Sequence, residues 1–326
     1  MRRGTRKPVR AEEGMALLTV LMLVGVMGAL TAATLEVMSR SVAVTANSRA
    51  SMQAHQYARG AALIAASRLE ALLDQADGRL TLAGGWADTP FTVPTAGGSI
   101  TVTLSDASHC FNVNALAPAA AGRPGMIDPL AARQFTALAE SVGIGQRRAE
   151  GMTMSLVDFI DGDPYPQAGG GEDNSYAGYT PPNRPLAGVG ELMAVLNWRA
   201  SDYELLRPYL CALPTSEMQE MNINTMTEAD APLVAMLAAG RLSPARARQA
   251  IAQRPAAGWE NVADFLNAPS PPISGEANIG QALGVDSDLF TADIVVDEGG
   301  FMVRETVLIR MDERGPQILE RRWGAA

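Results

Sequence analysis

From Met15 to Leu35 the chain runs 21 residues without a charge, enough for a helix to cross a bilayer core. After Glu36 polar residues mix in, but no proline occurs between Pro8 and Pro90 to stop a helix. Tyr57, Ala61, Ile64, Ala65, Leu69, Leu72 and Leu73 keep a three-to-four spacing, which predicts one apolar stripe on an otherwise polar helix. A single helix over 15–73 follows, apolar all round in its first half and amphipathic in its second. Such a helix spans a membrane and then lies along a folded domain.

The period then shortens to two. "GRLTLAGGW" (78–86) and "FTVPTAGGSITVTLSD" (91–106) read as short strands punctuated by glycine and proline. "DIVVDEGGFMVRETVLIRMDERGPQILERRW" (293–323) reads as three more, turning at Gly299-Gly300 and at Arg314-Gly315-Pro316. The expected fold is α+β: a long N-terminal helix packed on a small antiparallel sheet, interrupted by a mainly helical segment. The expected organisation is 1–14 leader, 15–111 helix and first strands, 112–285 helical insert, and 286–326 last strands. The insert carries a repeat, since "FNVNAL" (111–116) and "MNINTM" (221–226) share an Asn-x-Asn core. Each is followed by two helical stretches around a break, at Gly143-Ile144-Gly145 and near Gly240 and Pro244. That divides the insert into units at 112–210 and 222–285. Paired helices around a glycine turn resemble helix-hairpin-helix or SAM-like units.

Composition narrows the function. Hydrophobic content of 47% excludes a disordered chain, and aromatics at 5% leave a core of Ala, Leu and Val. Net charge is −9, but the first 14 residues carry five basic and two acidic residues, so the remainder is −12. A chain so acidic is a poor general binder of nucleic acid, although Arg147, Arg148, Arg241, Arg246 and Arg248 sit where hairpins grip phosphates. Positive flanks stay cytoplasmic, so the chain beyond Leu35 is expected across the membrane. If it lies there, Cys110 and Cys211 pair as one disulfide; the alternative is two separate buried thiols.

The most pointed chemistry lies at 158–185, in "DFIDGDPYPQAGGGEDNSYAGYTPPNRP". Asp158, Asp161, Asp163, Glu172 and Asp173 fall within sixteen residues, with no Lys or Arg between Gly151 and Asn183. Turn residues can bring these carboxylates together, where they repel one another unless a cation, protons or solvent compensates. Calcium suits flexible carboxylate-and-carbonyl coordination better than magnesium does. The spacing is not an EF-hand. The residues alone leave three readings open: a calcium loop, a bare acidic surface loop, and a catalytic carboxylate pair.

A resemblance separates them. The basic leader ending at Gly14, with an uncharged run that continues as an amphipathic helix, resembles type IV prepilins and type II secretion pseudopilins. It implies cleavage by a prepilin peptidase after Gly14 and methylation of Met15. Most members have glutamate at the fifth mature position; this chain has Thr19, as suits a tip subunit with no neighbour above it. Asp158-x-x-Asp161-x-Asp163-x-x-Pro166 with Gly171-Glu172-Asp173 and Tyr176 resembles the minor pseudopilin K signature. So do "PPNRPLAGVGEL" (181–192), "LLRPYLCALP" (205–214) and "GWENVADFL" (258–266). The resemblance implies calcium held by Asp161, Asp163, Glu172 and Asp173, with Asp158 as a further ligand. It also implies minor pseudopilins I and J as partners, a single-pass inner-membrane anchor, a periplasmic C-terminal domain, and a role in starting pseudopilus assembly.

Catalysis is not expected. There is no G-x-S-x-G elbow, H-E-x-x-H, P-loop or dinucleotide fingerprint. The competing function is a minor pilin of a type IV pilus or DNA-uptake machine whose hairpins bind nucleic acid.

Overall fold

A computed structural model describes residues 11–76, 78–118, 125–268 and 279–324, with only the backbone for 11–14. Residues 1–10 of the expected leader lie outside that range. The long helix α1 spans Ala11–Ala76, four residues earlier than the uncharged run because nothing before Met15 breaks it. Residues 15–49 are exposed on every side, and this is a helix long and apolar enough to cross a membrane. From Ala54 onward one face is buried: Ala54, Ala58, Ala61, Ala62, Ala65, Ala66 and Leu69. The face is almost all alanine, so the helix sits close on the sheet. Ile64, expected on this stripe, is half exposed, because at 100° per residue it falls well round the helix from the centre of the alanine face.

The expected strand over 78–86 does not form. Gly84 and Gly85 both adopt positive φ, and the segment turns to bury Trp86, whose Nε1–H donates to the Thr81 carbonyl at 2.8 Å. Strand β1 (Phe91–Pro94) pairs antiparallel with β2 (Gly98–Asp106). The chain then leaves the sheet. The intervening segment holds β3 (Phe111–Asn112), α2 (Pro129–Ser141), α3 (Gln146–Ile160), α4 (Ala200–Leu206) and β4 (Leu210–Cys211). It continues through β5 (Met221–Asn222), α5 (Ala231–Leu237), α6 (Pro244–Ala252), α7 (Val262–Asn267) and β6 (Leu283–Gly284). The sheet resumes with β7 (Leu289–Glu298), β8 (Phe301–Asp312) and β9 (Gly315–Trp323), the three strands expected at the carboxy end. Its order is β1-β2-β7-β8-β9, antiparallel throughout.

Two separate cores result. The first joins the alanine face of α1 to Ile100, Val102, Phe290, Ile294, Val296 and Val307 of the sheet. The second lies wholly between β2 and β7, around Phe111, Phe135, Leu156, Leu192, Met236 and Phe265. The β7–β8 turn lies beside Ala50 of α1, whereas β2 ends and β7 begins at the opposite end of the strands. The helical segment therefore projects from the end farthest from the apolar half of α1.

The repeat is visible in three dimensions. In each unit the Asn-x-Asn strand makes a two-residue parallel pair, β3 with β4 and β5 with β6. In each, the second asparagine makes two bonds with one residue's backbone. Asn114 donates to the Leu186 carbonyl at 3.0 Å and accepts its N–H at 2.7 Å; Asn224 does the same with Trp259 at 3.0 and 2.6 Å. Both asparagines are buried, so truncation strands backbone groups away from water. Asn114→Ala and Asn224→Ala are each expected to lose about 2 kcal/mol, measured by denaturant unfolding.

Candidate metal centre

The α2–α3 hairpin sets the acidic loop in place. Asp128 caps α2, its Oδ1 accepting the N–H groups of Leu130 and Ala131, and Pro129 occupies the first helical turn. Gly143, at φ +97°, lets the chain reverse into α3. Helix α3 then ends at Asp161, where Gly162 and Pro164 follow.

Its last turn carries two carboxylates with different tasks. Asp158 is fully buried and accepts the Gln167 N–H at 3.0 and 3.1 Å, pinning the returning loop. A Cβ on Gly170 would lie 2.0 Å from Asp158 Oδ2, so only glycine fits there. Asn197 holds the loop from the other side, donating to Ser155 Oγ at 2.8 Å and to the Gly169 carbonyl at 3.3 Å. Tyr176, its ring tilted against that of Phe159, accepts the Leu196 N–H at 3.2 Å.

Between these anchors Asp161, Asp163 and Glu172 converge, each offering a carboxylate oxygen within 4.8 Å of the other two. Asp161 is 1% exposed and Glu172 9% exposed. Both oxygens of Asp161 and Oε1 of Glu172 are buried without a hydrogen-bond partner. Unpaired buried carboxylates are costly. Burial, and then the neighbouring carboxylates Asp163, Asp158 and Glu172, pushes Asp161 up to about 7. Burial followed by Asp158, Asp163 and Asp173 pushes Glu172 up to about 7. Asp158 is raised as well, chiefly by burial. Three hard oxygen donors around orphaned buried lone pairs fit a divalent cation of the calcium kind. Asp173 is exposed at the start of a 3₁₀ turn and is not among the three, and Asp158 spends its oxygens on the loop.

The other expected site residues are spread along the chain. Gly14 and Met15 lie within α1, and Thr19 Oγ1 donates to the carbonyls of Ala16 at 2.9 Å and Met15 at 3.1 Å, satisfied by its own helix. Cys110 and Cys211 are joined in a disulfide, their Cα atoms 5.7 Å apart. Arg148, considered for phosphate contact, is instead ion-paired to Asp202 and donates to the Asn197 carbonyl at 3.1 Å. The structure adds a polar cluster around Asp106 that no motif announced.

A helix whose first half is long and apolar enough to cross a membrane and whose second half packs on an antiparallel sheet, with a helical segment and acidic loop set into that sheet, has the architecture of a pseudopilin. Two family profiles, both described as type II secretion system (T2SS), protein K, match residues 109–215 and 221–286. Type II secretion system protein K of Klebsiella pneumoniae is 33% identical over 317 residues, covering 96% of this chain and 97% of that protein. The Pectobacterium carotovorum subsp. carotovorum protein is 30% identical over 318 residues, with 96% and 97% covered. Among solved structures, the GspK-GspI-GspJ complex from enterotoxigenic Escherichia coli contains a similar chain. Its TM-score is 0.74 at 32% identity, over 86% of this chain and 99% of that one. The chain belongs to the type II secretion system protein K family.

Proposed function

We propose that this protein sits at the tip of the type II secretion pseudopilus and starts its assembly together with minor pseudopilins I and J. The carrying observation is the position of the insert. A helical segment with its own core projects from the membrane-distal end of the sheet, where a subunit stacked above would collide with it. The solved relative in a three-pseudopilin complex supports the same partners. Thr19 supports the tip position, since its hydroxyl is satisfied within α1 and offers no charge for a neighbour's terminal amine.

In this reading prepilin peptidase cuts between Gly14 and Met15, Met15 is methylated, and α1 remains in the inner membrane with the rest of the chain in the periplasm. The two Asn-x-Asn units are SAM-like modules. Asp161, Asp163 and Glu172 hold calcium, completed by loop carbonyls, and the ion supplies the positive charge that their buried oxygens lack. The reading is tested by co-purifying the full chain with minor pseudopilins I and J from detergent extracts. A stoichiometric ternary complex is expected, and pseudopili fail to form in a strain lacking this chain. Incorporation along the whole filament length, seen by immunogold labelling, would overturn the tip assignment.

A further inference from the structure

The two cores share no residue, and what joins them is small. One link is the cluster of Leu213, Leu289 and Leu308, with Ala107, Cys211 and Leu319 packed against it; another is Arg322 of β9, donating to the carbonyls of Ala187 at 3.1 Å and Ala212 at 3.4 Å. The third is polar and centres on Asp106, the last residue of β2. Oδ2 accepts the hydroxyls of Thr225 and Ser287, each at 2.5 Å, and Oδ1 accepts the Ser108 N–H at 2.8 Å. Around it, Asn222 donates to Ser287 Oγ at 2.9 Å and to the Leu80 carbonyl at 3.0 Å. His109 Nε2 lies 2.9 Å from the Asn222 carbonyl.

These residues include both places where the chain passes between sheet and insert, and two further connections. Asp106 to His109 is the exit from β2, Asn222 follows the passage from the first unit to the second, and Ser287 leads back into β7. Leu80 belongs to the connection after α1. With separate cores, relative motion is the default unless the junction forbids it. A carboxylate buried among hydroxyl donors forms strong, directional bonds that set an angle, which a small apolar contact does not.

We propose that Asp106 is a positioning residue, a latch that holds the helical insert in one orientation on the sheet. It fixes where the insert points relative to α1, independently of the acidic loop and of which partners bind.

The test uses the full chain in detergent micelles, with spin labels at the exposed positions Thr92 (β1) and Gln249 (α6) and a control pair at Thr92 and Glu313, the latter in the β8–β9 turn. In Asp106→Ala, and in the double variant Thr225→Val/Ser287→Ala, the Thr92–Gln249 distance distribution is expected to roughly double in width. The control pair and the far-ultraviolet circular dichroism stay unchanged. A Thr92–Gln249 distribution as narrow as in the unsubstituted protein would overturn the proposal, as would equal broadening of both pairs, which signals general loosening. If Asp106→Ala does not fold, the hydroxyl variant alone decides.

Discussion

Removing calcium from the proposed site is expected to lower the midpoint of thermal unfolding at pH 8 by roughly 5 to 10 °C. An ion at about one hundred times its dissociation constant contributes about 2.7 kcal/mol, and each kcal/mol moves the midpoint of a folded unit of this size by about 2 to 4 °C. The effect is large because the ion-free state is strained in a specific way. Asp161 and Glu172 are buried among carboxylates, with three oxygens lacking any donor.

The pH dependence distinguishes this from generic stabilisation. Both groups titrate near 7 in the ion-free fold, above their unfolded range of about 4. Between about pH 4 and 7 the folded state therefore binds more protons than the unfolded one, and stability falls as pH rises through that window. Ion-free protein should melt higher at pH 5 than at pH 8. Calcium must displace those protons, so its increment should be largest at pH 8 and shrink toward pH 5. Asp161→Asn should abolish the calcium response and raise the ion-free midpoint at pH 8, because it removes a repelling buried charge. Scanning calorimetry of dialysed protein, with and without added calcium, checks all three. A calcium increment unchanged between pH 8 and pH 5 would sink the assignment.

The acidic loop could be read in advance because its carboxylates are close neighbours in sequence and the glycines and prolines between them force the chain back. The split of labour between the carboxylates has no such local signal. Asp158 and Asp161 are one helical turn apart, yet the backbone N–H of Gln167 claims one and leaves the other bare. Periodicity found α1 but favoured Ile64 for its size, whereas close packing on the sheet selects alanine. The segment 78–86 shows alternation without a strand, because its glycines turn it before any partner is reached. The Asp106 latch was illegible for a different reason. It gathers residues 80, 106, 222, 225 and 287, and no local pattern encodes a contact across such separations. The Asn-x-Asn repeat marked two of the right places, but not what the asparagines bind.

Replacing both cysteines, Cys110→Ser with Cys211→Ser, should give the largest loss of stability of any variant considered. The bond links residues 101 apart in sequence, and it closes the first helical unit at its base, next to the pairing of Asn112 with Cys211. Cross-linking a loop of about one hundred residues removes unfolded-state entropy worth about 4 to 5 kcal/mol as an upper figure. That corresponds to a midpoint lower by roughly 10 °C or more. The loss should exceed what the surrounding contacts can recover. Gln219 donates to the carbonyls of Ser108 at 3.0 Å and Cys110 at 2.8 Å, and Asn112 donates to those of Thr215 at 2.7 Å and Glu217 at 2.9 Å; with the β3–β4 pair these bonds help hold the two chain ends together. Each such bond is worth only about 1 kcal/mol net. The acidic loop lies within the closed unit and is anchored by Asn197 and Gln167 rather than by the bond, so the midpoint increment expected from calcium at the proposed site should persist. Thermal unfolding with and without calcium, for the oxidised protein, the protein treated with a phosphine reductant and the double variant, separates the two effects. A double variant that melts within about 2 °C of the oxidised protein would mean that the first unit is held shut by its core alone.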